Sequence, residues 1–593
     1  MNIFYEMASR LGFYKDVKNC LLKGFTPCAV TGVSNIHKAQ TAMALSRLSP
    51  CLVICDDEAS AIRMTGDINE MAGEQLACVF PAKDLNFAYM EGVSREYEHK
   101  RLEALSLITQ GKCKIIAASM EACLQGTIPQ DKLKEFSFEI KTGGELSLEE
   151  LTSKLLAGGY TRTDQVEGQA QFSVRGSIAD IFPVQESRPV RIELWGDEVD
   201  SISYFDPESQ RRTDPIDEIM VFPALEIIFP DTDDLVTKLE ALSKSVRGSR
   251  TDKIRTNISR DIETAQSGIT LTNLDKYYTV CYDRLTTIFD YFQSGVCLVS
   301  EYTNCIEKGK AALAQLSEDM KLLYEDGILF RKLEGFYLDI PQAELKITQM
   351  KSVFLDSFMR SNNGVKFKKL INTDCRQTAA WGGNIINLEE ELKNLCSQGY
   401  CTVVLAGSEK TLPIINKDLN DAGISAEILT EDSEIIKGKV YLRTGCLSGG
   451  FDYPDIGCAA ITQMKAMSAK KRKSHHKAGE EIKSLSDIQT GDLVVHAMYG
   501  IGRFSGIKNI ETNGVTKDYI TIKYAGTDVL YVPVTQLDLV SRYIGPRDDG
   551  AVKLNKLNSM EWTKTRNKVK SAVKDMAEEL TKLYAQRQMA KGS

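Results

Sequence analysis

The chain has 593 residues, 43% of them hydrophobic and 26% charged, and a formal net charge of −8. That length asks for several domains with separate cores, and the acidic balance excludes a general nucleic-acid coat protein. No apolar run is long enough to span a membrane, and Glu6 and Asp16 interrupt the place of a signal peptide, so a cytoplasmic protein without membrane contact is expected. The fifteen cysteines contain no C-x-x-C pair, and Cys51 and Cys55 lie on an apolar run. Reduced core thiols are expected, with neither a disulfide framework nor a metal site.

From residue 1 to 125, the apolar runs "PCAVTGV", "PCLVIC", "LACVFPA" and "CKIIAAS" alternate with amphipathic stretches, the pattern of a parallel α/β sheet. The first run enters "AVTGVSNIHKAQTAMALS", which has the spacing of a phosphate-binding P-loop, G-x-x-x-x-G-K-[ST]. Gly32 and Lys38 fit that scheme. His37 places a ring where the loop needs glycine, and Ala39 offers no oxygen to a metal. The expectation is a degenerate site without hydrolysis; an ordinary strand-to-helix turn fits the isolated stretch as well.

Residues 126–212 form a different unit. "LSLEELTSKLLAGGY" opens with Ser147 as N-cap and Glu150 three residues on, and ends at Gly158 and Gly159. Two alternating stretches follow. Phe172, Val174 and Ile178 face one way and Ser173, Arg175 and Ser177 the other; then Val190, Ile192 and Leu194 stand against Arg191, Glu193 and Trp195. A small sheet with one wet, arginine-bearing face is expected, and a merely solvated face fits the same pattern. Residues 213–350 return to mixed α/β patterns, and a further α/β domain spans 351–462 with "GYCTVVLAG" as a buried strand. The run "GSEKT" in it is no P-loop, because Val404 stands where the first glycine belongs.

A linker at 463–483 carries the basic run Lys470 to Lys477, without interleaved aromatics to stack on bases. Residues 484–545 are β-rich, with glycine turns and a hairpin signal at Asn513 and Gly514, which predicts a small bent barrel. Within it, Ile520 and Ile522 alternate with Tyr519, Thr521 and Lys523, so this strand is expected at an open edge able to accept a partner strand. The tail 546–593 holds a long amphipathic helix with Trp562, Val569, Val573, Met576, Leu580 and Leu583 on one stripe. A helix this apolar is expected to lead into a following domain.

Taken together, these pieces resemble the N-terminal half of the bacterial transcription-repair coupling factor family. "GDLVVHAMYGIGRFSGI", "YAGTDVLYVPVTQLDLVSRYIG" and "KLNKLNSMEWTKTRNKVKSAVKDMAEEL" are similar to its CarD-like RNA polymerase interaction domain and the relay helix beyond. "GYTRTDQVEGQAQFSVRGSIADIFP" and "RIELWGDEVDSISYFD" resemble the small domain shared with the excision-repair protein UvrB, which in that family binds UvrA. The fold class implied is multidomain α/β with a degenerate helicase-like parallel sheet, the small domain inserted at 126–212, a second α/β domain and a Tudor-like barrel.

The resemblance implies an adaptor that binds stalled RNA polymerase and recruits UvrA, with damage probing doubtful because Phe87, Tyr89 and Tyr97 are spread thinly where UvrB has an aromatic hairpin. For UvrA it points to Arg162, Arg175, Phe182 and Arg191. For the polymerase β subunit it points to Tyr519, Ile520, Thr521, Ile522, Lys523 and Tyr524. It further implies no cofactor for this chain, ATP and Mg for a translocase motor lying beyond Ser593, duplex DNA contacted mainly by that motor, and a monomer. The alternatives from other classes are a CarD-type transcription regulator and an active UvrB-like ATPase.

Overall fold

The computed structural model describes residues 2–463, 479–481, 488–543 and 554–555, apart from 86, 88–94, 208, 249, 269–270, 359–363, 379–380, 382–384, 431–432, 497–498, 513–514, 527 and 535–539. The linker run at 470–477, the hairpin tip at 513–514 and the stripe at 562–583 therefore lie outside the described residues.

The apolar runs near the N-terminus form β1 (Cys28–Thr31), β2 (Cys51–Cys55), β3 (Ala77–Phe80) and β4 (Ile115–Ser119), buried almost throughout because helices cover both faces. The helices are α1 (Ile3–Arg10), α2 (Gly12–Lys23), α3 (Asn35–Leu45), α4 (Glu58–Ala72) and α5 (Glu96–Thr109). Local chemistry sets their ends: the Ser60 N–H donates to Asp57 Oδ1 at 2.8 Å to open α4, and Gly73 closes it at φ 79°.

After β4 the chain leaves this sheet. A two-stranded stem, β5 (Phe138–Lys141) against β12 (Glu218–Val221), closes the excursion. Inside it, the helix Leu148–Ala157 is capped by Ser147, which accepts from the Glu150 N–H at 3.1 Å. Next come β6 (Thr161–Arg162), β7 (Gln171–Arg175), β8 (Ile178–Ile181), β9 (Val190–Trp195), β10 (Glu198–Phe205) and β11 (Arg212–Ile216), lying side by side in the order β11-β10-β9-β8-β7-β6. The expected boundary at 212 is too early. β11 reads as a polar, proline-containing loop, and only its pairing of Ile216 with Ile202 makes it an edge strand.

The chain rejoins the first sheet as β13 (Val296–Ser300), β14 (Lys351–Asp356) and β15 (Lys369–Asn372), giving seven strands in the order β15-β1-β14-β13-β2-β4-β3. The expected division at 350 is thereby corrected, since β14 and β15 flank β1. A buried ionic network ties the excursion's return to this sheet. Arg101 Nε lies 2.9 Å from Glu226 Oε1, and Lys83 Nζ lies 2.7 Å from Glu226 Oε2 and 2.8 Å from Asp275. Arg101 also donates to the carbonyls of Pro81 and Gly126.

The second α/β unit contains β16 (Arg376–Thr378), β17 (Cys401–Leu405), β18 (Ala426–Ile428), β19 (Val440–Arg443), β20 (Gly450–Tyr453) and β21 (Cys458–Thr462), ordered β16-β20-β21-β17-β19-β18. It shares one apolar core with α1, α2 and α3, and Arg443 donates to the last carbonyls of α4 at Glu70 and Met71. The third unit is a six-stranded antiparallel sheet of β22 (Gly479–Glu481), β23 (Leu493–His496), β24 (Gly500–Thr512), β25 (Val515–Lys523), β26 (Val529–Pro533) and β27 (Val540–Tyr543), ordered β22-β27-β23-β24-β25-β26. Gly502 permits the close approach of β24 and β25, because a Cβ there would sit 2.4 Å from Ile522 Cγ2. All fifteen cysteines are free thiols, and among the described residues no helix is long and apolar enough to cross a membrane.

Arg101→Ala leaves Glu226 buried beside one cation instead of two, and is expected to lower unfolding free energy by about 3 to 5 kcal/mol. Urea denaturation of the full chain measures it.

Candidate functional sites: a filled P-loop and two binding faces

Gly32 follows β1 at φ 88°, and a Cβ there would meet the Thr373 carbonyl oxygen at 2.4 Å, so the turn needs glycine. In a working P-loop the next backbone N–H groups face phosphate. Here the Gly32 and Val33 N–H groups donate to the Asp356 carbonyl at 3.1 and 3.4 Å. Ser34 and His37 form a capping box at the start of α3, with the Ser34 N–H donating to His37 Nδ1 at 3.1 Å. The imidazole is fully buried against Tyr453, ring centroids 5.3 Å apart, and Ala39 is buried with it.

Lys38 Nζ, with no side-chain exposure, donates to Glu301 Oε1 at 2.6 Å. Glu301 follows β13 at φ 55°, a left-handed conformation uncommon outside glycine, and the same oxygen accepts from the Ser357 N–H at 2.8 Å and hydroxyl at 2.5 Å. Burial alone would raise the Glu301 carboxyl, but the Lys38 and Ser357 bonds outweigh it and hold it below the ordinary range. A carboxylate of this chain thus takes the lysine that would otherwise reach a phosphate. Glu301, invisible to a motif search because it is 263 residues away from Lys38, is the residue that sequence reasoning missed.

On the inserted sheet, register places Ser173, Asp180, Arg191 and Ser203 in one row and Arg175, Ile178, Glu193 and Ser201 in the next. Asp180, 1% exposed, accepts from Arg175 at 2.8 Å and from Arg191 through Nε at 2.7 Å and a terminal nitrogen at 2.8 Å. Its carboxylate holds the Arg191 guanidinium above its ordinary pKa. The expected side for Ile178 is corrected: it shares the row of Arg175, because the tight turn at Gly176 and Ser177 resets the alternation. Arg162 is exposed on the edge strand β6, and Phe182, half-buried, follows β8 at the end away from that turn. Arg175 and Arg191 meet; Arg162 and Phe182 stand apart from them.

The third sheet overturns the expected free strand. β25 is paired on one side with β24 and on the other with β26, so Tyr519 to Lys523 have no open backbone edge. Ile520 and Ile522 are fully buried core residues, Tyr519, Thr521 and Tyr524 are buried too, and Lys523 alone is exposed. Alternation reports which face a strand buries; the number of neighbours decides whether it is an edge. The terminal strands are β26 and β22. Phe87, from the thin aromatic stretch, is buried against Phe336, and among the described residues no group of three or more His, Cys, Asp or Glu is placed to hold a metal.

Comparison with known proteins follows these two faces. The UvrB interaction domain family matches residues 138–226, which run from the stem strand β5 through the sheet to Glu226. The CarD-like/TRCF RID domain family matches residues 488–544, the third sheet without β22. The chain resembles the transcription-repair-coupling factors. It is 29% identical over 594 residues to that of Bacillus subtilis (strain 168), covering 98% of this chain and 50% of the relative. Against that of Staphylococcus haemolyticus it is 29% identical over 586 residues, covering 95% and 49%. It spans about half the length of these curated relatives. A solved XPD helicase chain aligns at 8% identity with a TM-score of 0.18, too low to support any inference.

Burial pushes the His37 imidazole from 6.5 down to about 4, and its capping bond needs a bare Nδ1. The unfolded chain therefore takes up this proton first, and stability present above pH 6.5 is lost as pH falls toward 4, by about 2 kcal/mol at pH 5. Denaturation at pH 7.5 and pH 5 checks it: His37→Gln, which keeps an acceptor but cannot titrate, is expected to show a smaller loss.

Proposed function

We propose that this chain is an adaptor of transcription-coupled nucleotide-excision repair, binding RNA polymerase through the third sheet and recruiting UvrA through the inserted sheet. The observation that carries the reading is the coexistence of two family-matched partner domains with a nucleotide site occupied by the protein's own Glu301. No ATP turnover is expected from this P-loop, since Lys38 has no free ammonium to offer. The setting that suits free thiols and bacterial relatives is the cytoplasm, and the working unit we propose is a monomer.

For the polymerase we propose strand addition, by its β subunit, at β26. The Tyr524 N–H donates to the Asp528 carbonyl, which marks that pair as hydrogen-bonded. Antiparallel pairs alternate, so Val529 and Tyr531, opposite Lys523 and Thr521, direct their backbone groups away from β25 toward the free edge. Pro533, which has no N–H, falls on the same outward parity. For UvrA, the half-exposed Arg175 is the charged contact we propose, with Arg191 holding Asp180 in place beneath it.

A CarD-type regulator acting through the third sheet alone is the second reading, favoured by the independent match at 488–544. UvrA co-precipitation separates the two: the adaptor binds, and Arg175→Glu weakens binding. Tyr531→Pro removes one outward N–H, and is expected to reduce RNA polymerase binding roughly 10-fold or more while leaving the circular dichroism spectrum unchanged. Retained polymerase binding by this variant would exclude strand addition at β26.

A further inference from the structure

Trp195 is 83% exposed, more than any other large apolar side chain among the described residues. β9 is buried at Val190, Ile192 and Leu194, so Trp195 points to the same side as Arg191 and Glu193. It ends the strand beside the β7–β8 turn, because the Leu194 N–H donates to the Ser177 carbonyl at 2.9 Å. That turn carries Arg175 and Ile178 on its two flanks, paired with each other, and Ile178 is paired with Glu193. Trp195, Ile178 and Arg175 therefore crowd one end of the outer sheet face.

The charges on this face are mostly satisfied from within. Asp180 is held by Arg175 and Arg191, and Glu193 pairs with Arg212 and accepts from the Ser201 hydroxyl at 3.3 Å. The Arg175 side chain remains 51% exposed while donating to Asp180 at 2.8 Å and to Gln210 at 3.4 Å, and Glu198, directly across from Trp195, is the carboxylate at the rim. The Arg175 guanidinium is turned toward Asp180 and Gln210, which leaves the bare indole as the large apolar group on this face, and an indole supplies contact area at low entropy cost.

We propose that Trp195 is the principal anchor of the UvrA contact, inserting into an apolar pocket on UvrA, with the half-exposed Arg175 as a separate charged contact on the same face. This rests on the proposed UvrA reading and deepens it. It moves the centre of the contact from the arginine clamp in the middle of the sheet to the turn end. The Asp180 clamp then holds Arg175 and Arg191, while the indole supplies most of the affinity.

The test is titration of purified UvrA against the full chain as wild type, Trp195→Ala, Trp195→Phe and Arg175→Glu, with RNA polymerase binding as the check that each variant is intact. Trp195→Ala is expected to weaken UvrA binding roughly 30-fold, Trp195→Phe to recover most of it, and acrylamide quenching of tryptophan emission to fall when UvrA is added to the wild type. Wild-type binding that survives Trp195→Ala within twofold while Arg175→Glu abolishes it would overturn the anchor and leave the UvrA reading standing. No UvrA binding by the wild type would overturn both.

Discussion

The arrangement of the first domain depends on one ion pair, Lys38 with Glu301. An ammonium without exposure must have a partner, and a P-loop lysine ordinarily finds it on a nucleotide. Here the end of β13 turns through a left-handed residue to bring a carboxylate to the lysine, and Ser357, just beyond β14, binds the same oxygen. The pair thereby joins α3 to the ends of the central strand β13 and its neighbour β14. Lys38, Glu301 and Ser357 thus meet in one joint.

The joint extends outward through polar contacts of the same kind. Arg101, Lys83 and Glu226 hold the return of the inserted domain against the ends of β3 and β4, and Gln40, two residues beyond Lys38 on α3, accepts from the Tyr453 hydroxyl at 2.5 Å. Asp67 on α4 accepts from Ser448, and Arg443 closes the end of that helix. The second α/β unit is thus fastened to the first through side-chain hydrogen bonds.

The two faces solve different problems. The inserted sheet buries a carboxylate between two arginines, so its polar face is ordered before any partner arrives. The third sheet keeps its apolar side chains inside and ends at the terminal strand β26, and the strand addition proposed there would use backbone groups. One face offers side chains, and the other offers hydrogen-bonding backbone.

The strands β1 to β4, the helix opened by Ser147 and the inward set of Val190, Ile192 and Leu194 were legible in the sequence, because continuous or alternating apolar residues and caps act over a few positions. The departures of His37 and Ala39 from the P-loop pattern were legible for the same reason. Glu301 as the partner of Lys38, Ile178 on the arginine face, β11 and β15 as edge strands, and β25 as an interior strand were decided only by tertiary structure. Glu301 and β15 depend on segments hundreds of residues away, Ile178 on the geometry of a two-residue turn, and β11 and β25 on whether neighbouring strands pair on one side or both, none of which leaves a periodic trace in the local sequence. Parity tells a residue its side of a sheet, and only its neighbours tell a strand whether it has a free edge.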